Sequence, residues 1–267
     1  MERQDAINMD TKKAWEENWK PFEVEELMEI FTYPRVKKQL DLYLKYFSKN
    51  DKILEGGCGL GPYLIYLRKQ GYNVVGVDYN EEPLKKIRQY DSSVPVSVMD
   101  VKKLSFPDGT FDGYLSLGVI EHFIEGPEGA IKEAYRVLKD NGTFIVQVPV
   151  MNIFLALTSP IELIKRNKLV RKLIGKKDKV YYWQCYFKKN HLKKILEDHG
   201  FSVAEIVPMD HEHSVISFCR VFRDTKSYDG ANSAGLVLSR FCEKFFPWFT
   251  AANMVLVCKK ETKGESA

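Results

Sequence analysis

Short apolar runs alternate with amphipathic segments through the first half of the chain. The apolar runs have strand length and predict β-strands at 52–55, 73–77, 96–99, 110–117 and 142–148. Between them, apolar residues at helical spacing predict helices at 63–70, from 81 onward and at 127–139. Strands separated by helices are typical of parallel βαβ units, so the pattern predicts an α/β fold with a doubly wound sheet.

The alternation is weaker outside this part of the chain. After a break of about forty residues, we expect a helix at 191–199 capped by Asn190 and a strand at 201–207. Residues 211–247 are predicted to be less regular, and 253–258 form a last strand. The first fifty residues place aromatic and aliphatic side chains among acids, which predicts amphipathic helices laid over the core.

A glycine-rich turn at 56–61 follows the first predicted strand. Such a turn lets the backbone approach a ligand at the carboxyl ends of parallel strands. The dinucleotide pattern G-x-G-x-x-G fails in both registers, because Pro62 or Leu64 occupies the third glycine position. The P-loop pattern fails as well, because no Gly-Lys-Ser/Thr follows the turn.

Acids end the first three predicted strands. Glu55 precedes the glycine turn, Asp78 ends the second strand and Asp100 ends the third. A carboxylate at the second strand can accept hydrogen bonds from both hydroxyls of a ribose. Three acids without a basic residue in the turn favour a ligand with adenine, ribose and a positive centre, and would repel a pyrophosphate. This combination describes S-adenosyl-L-methionine.

Five motifs in order resemble those of class I S-adenosylmethionine-dependent methyltransferases, in the type 11 subgroup similar to ubiquinone and menaquinone biosynthesis enzymes. The motifs are Ile53 to Gly61, Gly76-Val77-Asp78, Val98-Met99-Asp100, Phe111-Asp112-Gly113-Tyr114 through Glu121-His122-Phe123, and Glu133 to Lys139 with Gly142-Thr143. The chain departs from the usual pattern at Glu55, where Asp is commoner, and at Gly57. The resemblance implies a Rossmann-like sheet that is mostly parallel, with its last strand antiparallel.

The resemblance also implies a cofactor-binding set. Its members are Glu55, Gly56, Gly57, Cys58, Gly59, Asp78, Tyr79, Asp100, Val101 and Leu117. Gly56 to Gly59 would pass under the methionine part, Asp78 would hold the ribose, and Tyr79 would flank the adenine. Asp100 and Val101 would read the adenine edge, with Leu117 beside the cofactor. The alternative is that the acids only cap neighbouring elements, and that Cys58 is a packing residue rather than a nucleophile.

The same resemblance divides the chain into four segments: an N-terminal helical lid at 1–48, a cofactor-binding core at 49–150, a basic insertion at 151–187 that caps the acceptor, and a C-terminal part at 188–267 with a second insertion at 209–250. In the family, chain before the first strand often closes over the cofactor. Trp15, Trp19, Tyr33 and Arg35 are the candidate lid residues, although packing alone also explains the tryptophans.

Histidines supply the candidate general base. His122 follows the fourth predicted strand and has an ordinary pKa near neutrality, so it can take a proton from an acceptor, or it can instead shape the cofactor pocket. His211 and His213 flank Glu212 and would point to one side if that stretch were extended. A metal site, a pocket lining and an ordinary polar loop all remain open for this pair, and the predicted set of metal ligands is empty.

Positive charge is concentrated in one segment of a chain whose formal net charge is +4. On a helix, residues 160–177 would separate an apolar face from a face of lysines and arginines. Three interpretations of this segment stay open. It can pack on the fold as a cap, contact an anionic membrane or a lipid substrate peripherally, or bind an anionic acceptor or nucleic acid. Nucleic acid is disfavoured because no Asn/Asp-Pro-Pro-Tyr-type element follows strand four.

These observations predict a methyltransferase that acts at oxygen or carbon of a small-molecule acceptor, with a lipid-like molecule as one option. The alternatives are methylation of RNA or protein through the basic segment, and a cofactor-binding module without turnover. The polar start of the sequence predicts a cytoplasmic protein, with peripheral membrane contact through 160–177. The sequence pattern does not indicate an oligomeric state.

Overall fold

A computed structural model describes residues 15, 17–157, 184–225, 227 and 230–262. Its sheet contains seven strands in the order β3-β2-β1-β4-β5-β7-β6. The strands are β1 (Lys52–Gly56), β2 (Asn73–Asp78), β3 (Val96–Val98), β4 (Phe111–Leu117), β5 (Leu138–Pro149), β6 (Phe201–Met209) and β7 (Asn253–Lys260). The first five strands pair in parallel, whereas β7 lies antiparallel between β5 and β6. The predicted fold class is confirmed.

Helices cover the sheet and its carboxyl end. Within the described residues they include α1 (Val24–Met28), α2 (Pro34–Leu44), α3 (Pro62–Lys69), α4 (Glu81–Tyr90), α5 (Glu128–Val137), α6 (Lys189–Asp198), α7 (His211–Phe218), α8 (Ser233–Phe245) and α9 (Pro247–Thr250). Proline at the first turn of α2 and α3 suits helix starts, where the missing N–H would have no partner.

Two buried clusters lie on opposite faces of the sheet. One joins α2, α3 and α4 to the sheet through Leu40, Tyr43, Leu64 and Leu84. The other joins α5 and α6 through residues that include Ile131, Leu192 and Leu196. Each cluster removes apolar surface from water on one face, which holds the parallel strands flat enough to bring their carboxyl ends together.

Two local predictions in the C-terminal part are wrong. Asn190 does not cap α6, because the helix begins at Lys189 and its N-cap is Lys188. Residues 211–247 are largely helical rather than irregular, because Val215 and Ile216 of α7 pack inward and Asn232 caps α8 by accepting a hydrogen bond from the Gly235 N–H. None of the described helices combines the length and apolar character required to cross a bilayer.

Candidate active site

The glycine turn is fixed by its backbone conformation and by hydrogen bonds to the neighbouring strand. The N–H groups of Gly57 and Cys58 both donate to the Val77 carbonyl, at 2.7 and 2.9 Å. Gly57 and Gly59 have φ angles of 73° and 53°, in the left-handed region that favours glycine. A Cβ on Gly57 would lie 2.6 Å from a Val119 methyl carbon. The turn therefore needs glycine both for its conformation and for its close approach to the chain after β4.

Asp78 lies beside the glycine turn at the end of β2. Its Oδ2 accepts a hydrogen bond from the Gly59 N–H at 2.9 Å, and its Oδ1 accepts one from the Asn80 N–H at 2.8 Å. Burial raises the pKa of this carboxyl, while those N–H donors act in the opposite direction. Each carboxylate oxygen keeps a second acceptor position, so Asp78 can orient the turn and still accept from a hydroxyl pair.

Glu55 is buried on the other side of the turn. Burial raises the pKa of its carboxyl to about 8, and the nearby Asp78 acts in the same direction. Its Oε2 and the Nδ2 of Asn80 are buried, and neither has a hydrogen-bond partner among the described residues. Buried polar atoms of this kind are costly unless something satisfies them. A ligand with an ammonium group and hydroxyls fits this arrangement, as S-adenosylmethionine requires.

Cys58 is buried within the turn and does not have the surroundings of a nucleophile. Burial raises the pKa of its thiol well above the ordinary value, and the charges of Asp78 and Glu55 act in the same direction. The group therefore stays protonated, which supports the packing interpretation.

The remaining predicted cofactor residues lie around the same strand ends. Tyr79 and Asp100 are exposed, and Asp100 accepts a hydrogen bond from the Lys102 N–H at 2.8 Å. Val101 is buried and Leu117 is partly buried at the end of β4. The structure places these residues at one edge of the sheet, and their individual contacts with a cofactor stay predictions.

Two N-terminal tryptophans lie over the glycine turn. A Cβ on Gly59 would lie 2.7 Å from the Trp19 ring, and Trp19 stacks on Trp15 with 5.5 Å between ring centroids. Trp15 in turn meets the His122 ring edge-on at 4.8 Å. Of the four candidate lid residues, these two lie at the cleft, whereas Tyr33 and Arg35 lie elsewhere at the start of α2.

His122 lies next to a buried acid. Its Nε2 is 3.8 Å from Oε1 of Glu121, and both side chains are largely removed from water. Burial raises the pKa of the Glu121 carboxyl to about 8. Sequence reasoning selected His122 and did not select Glu121, although the Glu-His pair was visible in the motif.

A cavity of about 410 Å³ lies beyond the ends of β5 and β6, with Glu121 in its lining. Its apolar lining includes Pro149, Phe154, Leu155, Tyr186, Phe218 and Ala252. Its polar lining includes Arg35, Glu121, Asn152, Asp210, His213 and Ser214. The lining thus combines apolar and polar side chains, so the cavity suits a small molecule that has both an apolar body and polar groups.

Arg35 joins elements that are far apart in the sequence at the floor of this cavity. Its Nη1 is 3.1 Å from Oδ1 of Asp210, and its Nε is 4.0 Å from Oε1 of Glu212. Asp210 also accepts a hydrogen bond from the Asn253 amide at 3.1 Å and has a left-handed φ of 65°. No signal in the sequence marked this network, because its members come from α2, the β6–α7 junction and β7.

The extended arrangement considered for His211 and His213 is wrong, because both lie on α7. His211 is buried, and its Nδ1 lies 2.9 Å from Oγ1 of Thr250. Burial lowers the pKa of His211 to about 4, with Lys38 adding to the effect, so its ring is neutral at physiological pH. His213 instead lines the cavity. Within the described ranges, no three His, Cys, Asp or Glu side chains form a group able to hold a metal ion.

The comparisons with known proteins agree with this geometry. A family model described as a methyltransferase domain matches residues 54–146, which hold the glycine turn, Asp78 and the Glu121-His122 pair. The chain carries a class I methyltransferase domain. S-adenosylmethionine is the cofactor of this domain. Narrower assignment to the ubiquinone and menaquinone subgroup stays a prediction.

The relatives match less than half of this chain. The sterol 24-C-methyltransferase of Kluyveromyces lactis is 36% identical over 121 residues, which cover 41% of this chain and 32% of that protein. The chloroplastic 2-methyl-6-phytyl-1,4-hydroquinone methyltransferase 2 of Oryza sativa subsp. japonica is 37% identical over 112 residues, or 41% of this chain and 31% of that protein. The matched part thus spans about a third of each relative.

A solved structure extends the likeness of fold beyond the matched domain. An S-adenosylmethionine-dependent methyltransferase of Methanosarcina mazei superposes with a TM-score of 0.57 at 19% identity, covering 83% of this chain and 98% of that one. At this identity the likeness concerns the fold alone. Helix α7 and most of the cavity lining lie beyond residue 146, outside the matched family region, whereas Glu121 lies within it.

Proposed function

We propose that this protein transfers a methyl group from S-adenosylmethionine to a small molecule held in the cavity, at oxygen or carbon. The observation that carries the proposal is the continuity between the glycine turn and the cavity. Gly59 contacts Trp19, Trp19 stacks on Trp15, Trp15 meets His122, and Glu121 beside His122 lines the cavity. One site can therefore hold a cofactor and an acceptor side by side.

The predicted cofactor set keeps its role in this proposal. Gly56 to Gly59 approach the methionine part, and Asp78 accepts hydrogen bonds from the ribose. The buried Glu55 faces the positive charge of the ligand, which offsets the cost of ionising a carboxyl whose pKa burial has raised. Tyr79 flanks the adenine, Asp100 and Val101 read its edge, and Leu117 lies beside the cofactor.

Catalysis in this arrangement comes mainly from position. The cofactor supplies an electrophilic methyl group on a sulfonium. The apolar walls at Phe154, Leu155 and Phe218 hold the acceptor in a water-poor space, so its attacking atom can be aligned with that methyl. Transfer would join the methyl carbon to the acceptor and break the methyl–sulfur bond, whose electron pair would stay on sulfur as a thioether, and the acceptor would lose one proton.

Glu121 and His122 are the proposed recipients of that proton. Glu121 lines the cavity, and the Nε2 of His122 lies 3.8 Å from its Oε1, so two candidate bases stand next to each other at this end of the cavity. The raised pKa of Glu121, about 8, gives its carboxylate form more basicity than an exposed glutamate has. His122 alone was the sequence-based candidate, and the cavity geometry adds Glu121.

The relatives support a small-molecule acceptor, since two of them are named for a sterol and a hydroquinone. Cytoplasmic location and peripheral membrane contact through 160–177 remain part of the proposal. The segment 160–177 lies outside the described residues, as does most of the predicted insertion 151–187.

Incubation of the protein with methyl-labelled S-adenosylmethionine and cell extract tests the proposal. After partition, we expect label in the organic phase, and we expect Asp78→Ala to abolish it while Asp91→Ala, an acid on the loop before β3, keeps it. Label found only in RNA or protein would show that the acceptor is a macromolecule rather than a small molecule. Cofactor binding without label in any fraction would leave a binding module and overturn the proposal.

A further inference from the structure

Helix α8 is oriented opposite to the usual rule for a helix on a protein surface. Its buried residues are small, namely Gly235, Ser239 and Cys242. Three of its large apolar residues point outward, since Val237 is 67% exposed, Phe241 52% and Phe245 55%, whereas Leu236 and Leu238 are partly buried. A surface helix normally turns its large apolar side chains to the core. The outward stripe is therefore a surface made for contact with something else.

The stripe continues beyond the end of α8. Phe241 packs against Phe245 and Phe246, with ring centroids 4.9 and 6.1 Å apart. In α9, Trp248 is partly exposed and Phe249 is 68% exposed. We call the set Val237, Phe241, Phe245, Phe246, Trp248 and Phe249 the aromatic patch. Neighbouring exposed apolar side chains of this kind mark interaction sites rather than ordinary surface.

Basic side chains border the aromatic patch. Arg240 and Lys244 are exposed, and at about 100° per residue they flank the stripe on one side of α8. Lys244 lies over the Phe245 ring and Lys189 over the Trp248 ring, at 5.4 and 4.5 Å. The acid of α8, Glu243, is already paired with Lys38. The border of the patch is therefore cationic.

We propose that the aromatic patch docks this protein on an anionic lipid bilayer. Phenylalanine and tryptophan next to lysine and arginine form the side-chain set that interfacial helices use, with the rings entering the acyl boundary and the cations facing lipid phosphates. A two-fold contact between copies of the chain would instead bring the cations of one patch to those of the other. The charge of the border thus selects an anionic surface over a second copy.

The position of α8 adds a consequence for the cavity. Helix α7 carries His213, Ser214 and Phe218 in the cavity wall and packs against α8 on its other side. Docking through α8 would hold this wall close to the bilayer surface. The docking proposal stands without methyl transfer, because it rests on the exposed residues alone.

Co-sedimentation with vesicles tests the docking. We expect the full chain to bind phosphatidylcholine vesicles containing about a third phosphatidylglycerol at least tenfold more strongly than pure phosphatidylcholine, with binding weakened by high salt. The triple variant Phe241→Ser, Phe245→Ser, Phe249→Ser should lose at least tenfold in partition. Because these side chains are exposed, its circular dichroism and melting temperature should match those of the wild type.

Charge variants and quenching make the test specific to this surface. Arg240→Gln with Lys244→Gln should reduce partition several-fold, whereas Lys69→Gln with Lys85→Gln, on the β3 side of the sheet, should leave it unchanged. Brominated lipid should quench tryptophan emission, and Trp248→Phe should remove part of that quenching.

Three results would overturn the docking proposal. One is that the wild type does not sediment with anionic vesicles. Another is that the triple variant binds them as the wild type does, which would assign the contact to a different part of the chain. The third is that the wild type is a dimer, the triple variant is a monomer, and neither protein binds vesicles. This result would show that the aromatic patch binds a second copy of the chain.

Discussion

The cofactor cleft and the acceptor cavity adjoin each other, yet they are built in different ways. The cleft is assembled from residues 55–80, and its main contacts are backbone N–H groups donating to Val77 and Asp78. The cavity joins Arg35, Glu121, Asp210 and Asn253, which come together only when the sheet is complete. Local geometry fixes where the cofactor lies, and long-range packing fixes what lies beside it. Variants in the two regions should therefore fail in different ways.

The largest expected effect is on catalysis at the junction of the two regions. Glu121→Gln should lower kcat/KM by about 100-fold or more, because general base catalysis contributes factors of this size. In the wild type kcat/KM should rise with pH through about 8, where the Glu121 carboxyl ionises, and this rise should disappear in the variant. Cofactor affinity should not change.

Glu125→Gln is the matched control for Glu121, since Glu125 pairs with Lys102 at the surface. An unchanged rate and pH profile in Glu121→Gln would remove this acid from the mechanism. Loss of the pH dependence in His122→Gln alone would give the role of base to the histidine that the sequence indicated.

The next effect is on the stability of the cavity. Arg35→Met should lower the free energy of unfolding by about 3 kcal/mol, because it leaves the acids Asp210 and Glu212 buried without their cation. Urea unfolding measures this loss. Lys45→Met, which removes the exposed partner of Glu205, should change stability by less than about 1 kcal/mol. Equal losses in the two variants would mean that the cavity network is no more important than a surface pair.

In the cleft, the expected loss is of ligand affinity rather than of stability. Asp78→Ala should weaken S-adenosylhomocysteine binding by about 100-fold, because charge-assisted hydrogen bonds contribute roughly 1.5 to 3 kcal/mol each. Calorimetric titration measures the change. Asp91→Ala is the control, since the Asp91 carboxylate lies on the loop before β3 and accepts hydrogen bonds from Ser93. An affinity that is the same for wild type and Asp78→Ala would place the ribose elsewhere.

A smaller effect is the pH dependence of cofactor affinity. Because the pKa of Glu55 is raised to about 8, its carboxyl is neutral near pH 6 in the free protein, and a cationic cofactor favours the carboxylate. Binding should release a proton, and affinity for S-adenosylmethionine should rise about tenfold from pH 6 to pH 7. In Glu55→Gln this pH dependence should vanish. The same slope in wild type and variant would show that another group titrates.

The two regions also differ in how well the sequence predicted them. The glycine turn, Asp78 and Glu55 follow from short motifs, because positive φ values and strand-end acids leave a local signature. The helices between 211 and 245 were missed. Large residues of α8 face outward, so its apolar spacing gave no sign of a core-facing helix. The Arg35 network left no signature either, because its partners are separated by most of the chain.

Calorimetric titration of the wild-type chain with S-adenosylhomocysteine is the most direct test of the account, since the acid-lined glycine turn is its foundation. The account predicts one ligand per chain, a raised melting temperature in its presence, and loss of most of the affinity in Asp78→Ala. Absence of both binding heat and a melting shift in the folded wild-type protein would contradict it.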